Sequence, residues 1–381
     1  MMQRSLWMPN QHAILSASSA HRLLNCTPSV KLCETFEDKP SEYAAEGTEA
    51  HELCEYKLKT ALGMEADDPT PKLSRFNDEM DECATGYASY VLEQVNEASK
   101  TCSDPKVLIE QRVDFSRWVP EGFGTADCVI IADGTLRVVD YKHGLGVLVE
   151  AEMNPQMMCY ALGAMELFDA LYDISKVSMT IYQPRRENIS TFEISRDELL
   201  TWADKVLKPA AELAFEGKGE FHCGEWCGFC KAKHRCRARA EENLLMARHE
   251  FKLPALLDDI EIEVILSKVD ELTSWASDVK DYALQSALSG KSWTGWKLVE
   301  GRANRRYTDE NEVIRTVCEA GFDPFEKKVL GITAMQKLLG KTKFEKLLSA
   351  YIEKPQGKPT LVPESDKRPE ISCANLDFKE E

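Results

Sequence analysis

An α/β protein built on a mixed sheet is what the sequence predicts, from three observations. Three runs rich in β-branched residues lie close together at 106–115, 125–132 and 135–141. A helix-periodic stretch at about 154–171 separates them from two more such runs, at 176–183 and 189–194. Helical segments precede and close the set, so strands and helices interleave.

Each element has a local reason. Serines ahead of AHRLLN offer caps for a first helix from about Ser18. Apolar residues recur at helical spacing across 42–62 and again across 76–99. Asp133-Gly134 sits between the second and third strand runs, which predicts a two-residue hairpin turn. Asn154-Pro155 opens the next helix, and Arg185–Asn188 turns between the last two strands. A helix over 196–215 ends the unit, and a cysteine-rich stretch at 223–236 follows. Beyond it lie a helical segment at 258–289, a tryptophan-bearing strand pair at 291–309 and short helices over 309–353. The expected organisation is a domain over 1–245, an accessory helical region over 246–353 and an extended polar tail over 354–381, without an internal repeat.

Composition bounds the function. The 381 residues are 43% hydrophobic and 29% charged, enough for a packed core. No apolar run reaches the roughly 18 residues of a membrane helix, and MMQRSLWMPNQ has no secretory core. The expectation is a cytoplasmic protein without membrane contact. Thirteen cysteines, an odd number mostly set singly in apolar segments, fit a reducing compartment in which clustered cysteines are metal ligands. A net charge of −17 argues against unspecific nucleic-acid binding. The charge is uneven, however. Residues 34–82 hold 15 acidic and 5 basic side chains, whereas 231–239 has five Lys or Arg and no acid.

Two constellations carry chemistry. In the first, Asp140 and Lys142 share a strand face, and antiparallel pairing across the turn brings Asp127 alongside. Paired carboxylates with a lysine are what metal-assisted phosphodiester cleavage needs. D-x-K alone equally describes a charged strand end. The case grows with Glu110 in the preceding strand run, His51 on an upstream helix, and Gln156 and Tyr160 on one helix face. In the second, Cys227-x2-Cys230-x5-Cys236 is a tight triplet. Adding Cys223 makes a local four-thiolate zinc site. The alternative recruits a distant fourth ligand, with Cys26 as candidate. Lys231, Lys233 and Arg235, with Arg237 and Arg239, either bind backbone phosphate near that loop or form a solvated cationic face. Trp293 and Trp296, ahead of Arg302, Arg305 and Arg306, either stack on single strands or pack a small core.

Taken in order, these residues resemble the RecB-type branch of the PD-(D/E)XK nuclease superfamily. That branch carries a metal-binding histidine on an N-terminal helix, then G-x-x-D, D-x-K and Q-x-x-x-Y. Here they read His51, Gly124-Thr125-Ala126-Asp127, Asp140-Tyr141-Lys142, and Gln156 to Tyr160. The resemblance implies a restriction-endonuclease-like mixed central sheet flanked by helices. It implies Mg²⁺ or Mn²⁺ on His51, Asp127, Asp140 and the Tyr141 carbonyl, and Lys142 as catalytic lysine with Glu110 a further strand carboxylate. Gln156 and Tyr160 would position DNA. One subgroup, including the AddB type, has one cysteine before these motifs and three after in C-x2-C-x5-C spacing. Cys26, Cys227, Cys230 and Cys236 match it and imply a [4Fe-4S] cluster stapling the two ends of the domain. Cys26 is followed by Thr27-Pro28, where the family has proline directly; Cys33 and Cys54 are expected to be buried or spare. Over its full length the chain looks like a phage and prophage family of unassigned function. That implies a bacterial host cell, DNA as single strands or duplex ends, exonuclease action in recombination, and a phage single-strand annealing protein as partner. The rival expectations are a DNA-binding recombination scaffold without turnover, and a redox iron–sulphur protein.

Overall fold

The computed structural model describes residues 15–37, 42–168, 170–247, 259–299, 308–325 and 329–352. They divide between two compact units, Met1–Ser286 and Ala287–Glu381. In the first, two short helices, α1 (Ala20–Asn25) and α2 (Ser29–Glu34), precede the long α3 (Glu42–Ala61) and α4 (Asp78–Thr101). The strands and crossover follow as β1 (Lys106–Asp114), β2 (Phe123–Ala132), β3 (Gly134–Tyr141), α5 (Pro155–Phe168), β4 (Ile174–Gln183) and β5 (Asn188–Ser195). Helices α6 (Arg196–Trp202) and α7 (Lys208–Glu216) are joined through a wider turn at Ala203–Leu207, and α8 (Arg237–Ala247) and α9 (Asp259–Leu288) come next. The second unit contains α10 (Glu310–Glu319), α11 (Ile332–Leu339) and α12 (Lys341–Leu348).

The five strands lie in sequence order, β1-β2-β3-β4-β5. Only β3 and β4 run parallel, and α5 makes the crossover such a pair requires. The β2–β3 turn forms as its residues dictate. Ala132 pairs with Thr135, leaving Asp133 and Gly134 as the loop, and Gly134 takes φ 85°, which a side chain would resist.

Alternation along β2 sends Val129 and Ile131 into the core beneath α5, and Cys128, Ile130 and Ala132 into the core beneath α3 and α4. The sheet is therefore covered on both faces. Nearly all of α5 is buried, from Met157 to Met165. It lies so close to β1 that a Cβ on Gly163 would meet Val113 Cβ at 2.8 Å. Helix α4 starts where the Asn77 side chain accepts the Met80 N–H, with Asp78, Glu79 and Asp81 in its first turn. That cap and its dipole complement stabilise the helix by about 1 kcal/mol.

Two expectations change. The strand pair at 291–309 is not formed over 291–299, where the chain turns at Thr294-Gly295; residues 300–307, with Arg302, Arg305 and Arg306, lie outside the described residues. Helix α2 was not expected after Thr27-Pro28, yet Pro28 occupies its N-cap, a boundary position where a missing N–H does no harm. The tail over 354–381 also lies outside the described residues. Among the described residues, no helix is long and apolar enough to cross a membrane.

Candidate metal centre

Strand register assembles the acidic residues. Ile109 pairs with Cys128, and Cys128 with Val139. One step further along, the same register sets Glu110, Asp127 and Asp140 in a single row across β1, β2 and β3. Glu110 itself drops out of the ladder, which resumes at Gln111 and Ala126, and its backbone is left-handed at φ 49°. A non-glycine residue held there costs on the order of 1–3 kcal/mol, a strain that clusters at functional sites.

Helix α3 delivers His51 to this row. Its Nδ1 lies 3.4 Å from Asp127 Oδ1. The other Asp127 oxygen accepts the Tyr141 backbone N–H at 2.7 Å. Ligand atoms of His51, Glu110 and Asp127 all fall within 4.8 Å of one another. One imidazole and two carboxylates form a donor set suited to Mn²⁺ or Mg²⁺. The resemblance implies Asp140 in this trio; the structure groups Glu110 there instead, at a residue whose backbone is left-handed.

The electrostatics match a site built for a cation. Burial, then the Asp127 charge, pushes the Glu110 carboxyl up to about 8. Burial disfavours the imidazolium of His51, but Asp127 overrides it and raises the group to about 9. Burial also works against an ionised Asp127, yet His51, Lys142 and the Tyr141 amide hold it below the usual carboxylate range. At neutral pH two protons, on Glu110 and His51, offset the negative charge of the cluster.

Asp140 borders the trio and is 1% exposed. Burial raises its carboxyl, Lys142 opposes that, and Asp127 reinforces it. Lys142 Nζ lies 2.8 Å from Asp140 Oδ2, so an ammonium faces that buried oxygen. A buried carboxylate beside the His51, Glu110 and Asp127 trio adds oxygen donors to a set that fits an ion at this place. Gln156 Nε2 donates to Asp140 Oδ1 at 3.4 Å and to the Tyr160 hydroxyl at 3.0 Å. The helix expected to follow the lysine thus turns both polar residues onto the site.

A second clasp fixes α3 from behind. The Tyr141 hydroxyl pairs with His143 Nδ1 at 2.8 Å, His143 Nε2 lies 3.4 Å from Glu46 Oε1, and Arg185 Nη1 donates to Glu46 at 3.1 Å. Sequence reasoning assigned no role to His143 or Arg185. The available signal was Glu46, five residues before His51 on the same helix.

The cysteines converge only in part. Cys26 ends α1, which packs against the helical turn Glu225–Phe229 carrying Cys227. Cys26, Cys227 and Cys230 are buried and Cys236 half-buried. Cys33 is buried, one of the two outcomes expected for it, with its sulphur 3.6 Å from Cys230, and Arg22 donates to it at 3.2 Å. The Cys33–Cys230 and Cys223–Cys227 hydrogen bonds each lower one thiol and raise its partner, so that each pair shares a proton. Closely paired thiols of this kind fit an iron–sulphur or zinc centre. Among the described residues no three sulphurs lie within 4.8 Å of one another, so four thiolates are not gathered as tightly as a single tetrahedral zinc draws them.

The basic run beside them is largely engaged within the chain. Lys233 pairs with Asp278 at 2.7 Å, Arg235 lies over the Tyr282 ring, and the buried Arg239 binds Glu271 and Asp278. Lys231 is exposed at the edge of this run. In the second unit, Lys291 covers the Trp293 ring at 3.8 Å and Trp296 is exposed.

Comparison with known proteins gives a family and a faint structural likeness. The family described as "Protein of unknown function (DUF2800)" matches residues 12–369. A solved structure titled "Crystal structure of SSO0001" is similar at 16% identity, over 49% of this chain and 95% of that one, with a TM-score of 0.23. A likeness that slight carries no argument about function.

Proposed function

The chain belongs to the DUF2800 family, whose description assigns no function, and we propose from the site itself that it is a metal-dependent DNA nuclease of the PD-(D/E)XK type. The observation that carries this reading is the convergence of His51, Glu110 and Asp127 within 4.8 Å, beside the Asp140–Lys142 pair. What a bound Mg²⁺ or Mn²⁺ supplies there is Lewis acidity toward water and the scissile phosphate.

The chain's own residues do the rest. The Tyr141 amide fixes one Asp127 oxygen and leaves the other facing His51. Asp140, Gln156 and Tyr160 line the approach, so a water or a phosphate oxygen meets a fixed set of donors and acceptors. Lys142 is held cationic because Asp140 and Asp127 outweigh its burial. Its ammonium lends charge to the phosphate as the P–O bond to the leaving oxygen breaks and the bond to the incoming water oxygen forms. Exonuclease action on DNA ends during phage recombination remains the preferred setting.

In this reading Cys26, Cys227, Cys230 and Cys236 hold a [4Fe-4S] cluster that ties the N-terminal helices to the far end of the domain. A zinc centre is the second reading, favoured by the 3.6 Å between Cys33 and Cys230. Two thiolates on one tetrahedral zinc sit at about that separation, given bonds of ~2.3 Å. The deciding experiment is degradation of end-labelled single- and double-stranded DNA by anaerobically purified protein, with Mg²⁺, Mn²⁺ or chelator. Metal-dependent cleavage is expected. Binding without cleavage would assign the scaffold role instead.

A further inference from the structure

The segment from Lys142 to Gln156 joins two residues that both touch Asp140, so it projects from the rim of the proposed active site. Its tip is apolar and open to solvent: Leu145 is 48% exposed, Val147 57% and Leu148 37%. An apolar tip of this kind would ordinarily be a mobile surface loop, but this one is fastened from below. Gln183, 1% exposed, donates to Gly144 O and Val147 O, each at 2.8 Å, and accepts the Val149 N–H at 3.2 Å. Arg186 donates to Leu145 O at 3.0 Å, Asn188 to Val149 O at 2.9 Å, and Ser190 accepts the Ala151 N–H at 2.9 Å. Strands β4 and β5 and the turn between them thus hold six backbone groups of the loop while three aliphatic side chains are left facing water.

We propose that Leu145, Val147 and Leu148 form a fixed platform for unstacked nucleobases of the strand that enters the site. The inference rests on the nuclease reading and deepens it, since it specifies the form of DNA preferred. A regular duplex presents phosphates and base edges, neither of which an aliphatic tip can satisfy. The faces of unpaired bases are the apolar surfaces that DNA offers, and contact with them is tolerant of sequence. A loop ordered before binding does not pay the entropy of being fixed on contact, so its small area is used with little loss. The charged groups near it suit this arrangement: Lys142 stands on one side for the scissile phosphate, and Arg186 underlies the tip. The site therefore takes single-stranded or frayed ends in preference to closed duplex.

The test uses the full chain carrying Leu145→Ser, Val147→Ser and Leu148→Ser together. All three side chains are exposed, so the fold is not at risk. The probe is a single-stranded oligonucleotide with 2-aminopurine near one end, and the same sequence as a blunt duplex, with Ca²⁺ in place of Mg²⁺. Wild-type protein is expected to bind the single strand with a change in base fluorescence. The triple variant should bind it about tenfold more weakly, the change for withdrawing one or two apolar side chains from contact. Its affinity for the duplex and for Mn²⁺ should stay unchanged. Equal binding of both forms by wild type and variant, an equal loss on both, or a variant that changes only self-association would overturn the platform. If the loop effect appears but wild-type protein cuts nothing with Mg²⁺ or Mn²⁺, the nuclease reading falls and the platform stands.

Discussion

Cys33 and Cys230 are 197 residues apart in the chain, yet their sulphurs lie 3.6 Å from one another. The contact closes α2 onto the cysteine loop, and Arg22 supports it from α1. If Cys230 is a cluster ligand and Cys33 its thiol neighbour, Cys33→Ser retains iron and sulphide, because a hydroxyl can still donate to the Cys230 thiolate. Cys230→Ser and Cys26→Ser should lose both, together with the visible absorbance of the cluster. Iron and sulphide per chain, measured on anaerobically purified variants, decide this. Loss in Cys33→Ser with retention in Cys26→Ser would exchange the two residues as ligands.

Proton linkage gives a second expectation. His51 is raised from 6.5 to about 9 and Glu110 from 4.5 to about 8 in the metal-free chain. Both folded values lie above the unfolded ones, so each group stabilises the metal-free fold below its unfolded value. That stabilisation is lost as pH rises, from 4.5 through about 8 for Glu110 and from 6.5 through about 9 for His51. A divalent ion needs both groups deprotonated. Mn²⁺ affinity should therefore rise with pH across 6.5 to 9, with protons released on binding. Isothermal titration calorimetry in two buffers of different ionisation enthalpy reads that release directly. No buffer dependence would mean the ion binds elsewhere.

The Asp140–Lys142 pair separates chemistry from metal binding. Lys142→Ala removes the ammonium but none of the His51, Glu110 and Asp127 donors. Cleavage should fall by about 10²–10³ or more, the scale for losing one charge-stabilising donor, with Mn²⁺ affinity kept. Asp127→Asn should lose both. Cleavage rates measured beside Mn²⁺ titrations separate the two effects. Undiminished digestion by Lys142→Ala would remove the lysine from the mechanism.

How much of this was legible beforehand follows from how local each signal is. The hairpin at Asp133-Gly134 depends on residues adjacent in sequence, and it forms as expected, with β2 beginning two residues and β3 one residue earlier than the runs at 125–132 and 135–141. With the register of that hairpin, Asp127 and Asp140 had to share a row. The place of Glu110 in the metal trio was not legible, because it depends on a left-handed backbone at one residue of β1, which no pattern of side chains announces. Cys33 and Arg185 were missed for a related reason: each acts through partners 197 and 139 residues away. The basic run at 231–239 misleads in the opposite sense. Its charge is visible in the sequence, but the acids that meet it, Glu271 and Asp278, lie on a helix whose packing is tertiary.

Arg239 is the centre of that packing. It is 0% exposed, Nε lies 2.6 Å from Glu271 and Nη1 2.5 Å from Asp278, and its backbone carbonyl accepts from Asn243. Lys233 also pairs with Asp278, so α8 and the cysteine loop are fastened to α9 by one cluster of two cations and two carboxylates. Removing a buried member of such a cluster leaves its partners uncompensated, at a cost of roughly 3–5 kcal/mol. Here the lower end applies, since Glu271 keeps 32% of its side chain exposed and water can take over part of its solvation. Arg239→Ala should therefore destabilise the first unit by about 3 kcal/mol, read as a lower denaturant midpoint with an unchanged slope. Arg239→Ala combined with Glu271→Gln and Asp278→Asn should recover part of that loss, because no unpaired charge is left behind. If the triple variant were no more stable than Arg239→Ala alone, the arginine would be stabilising through its packing and not through its charge.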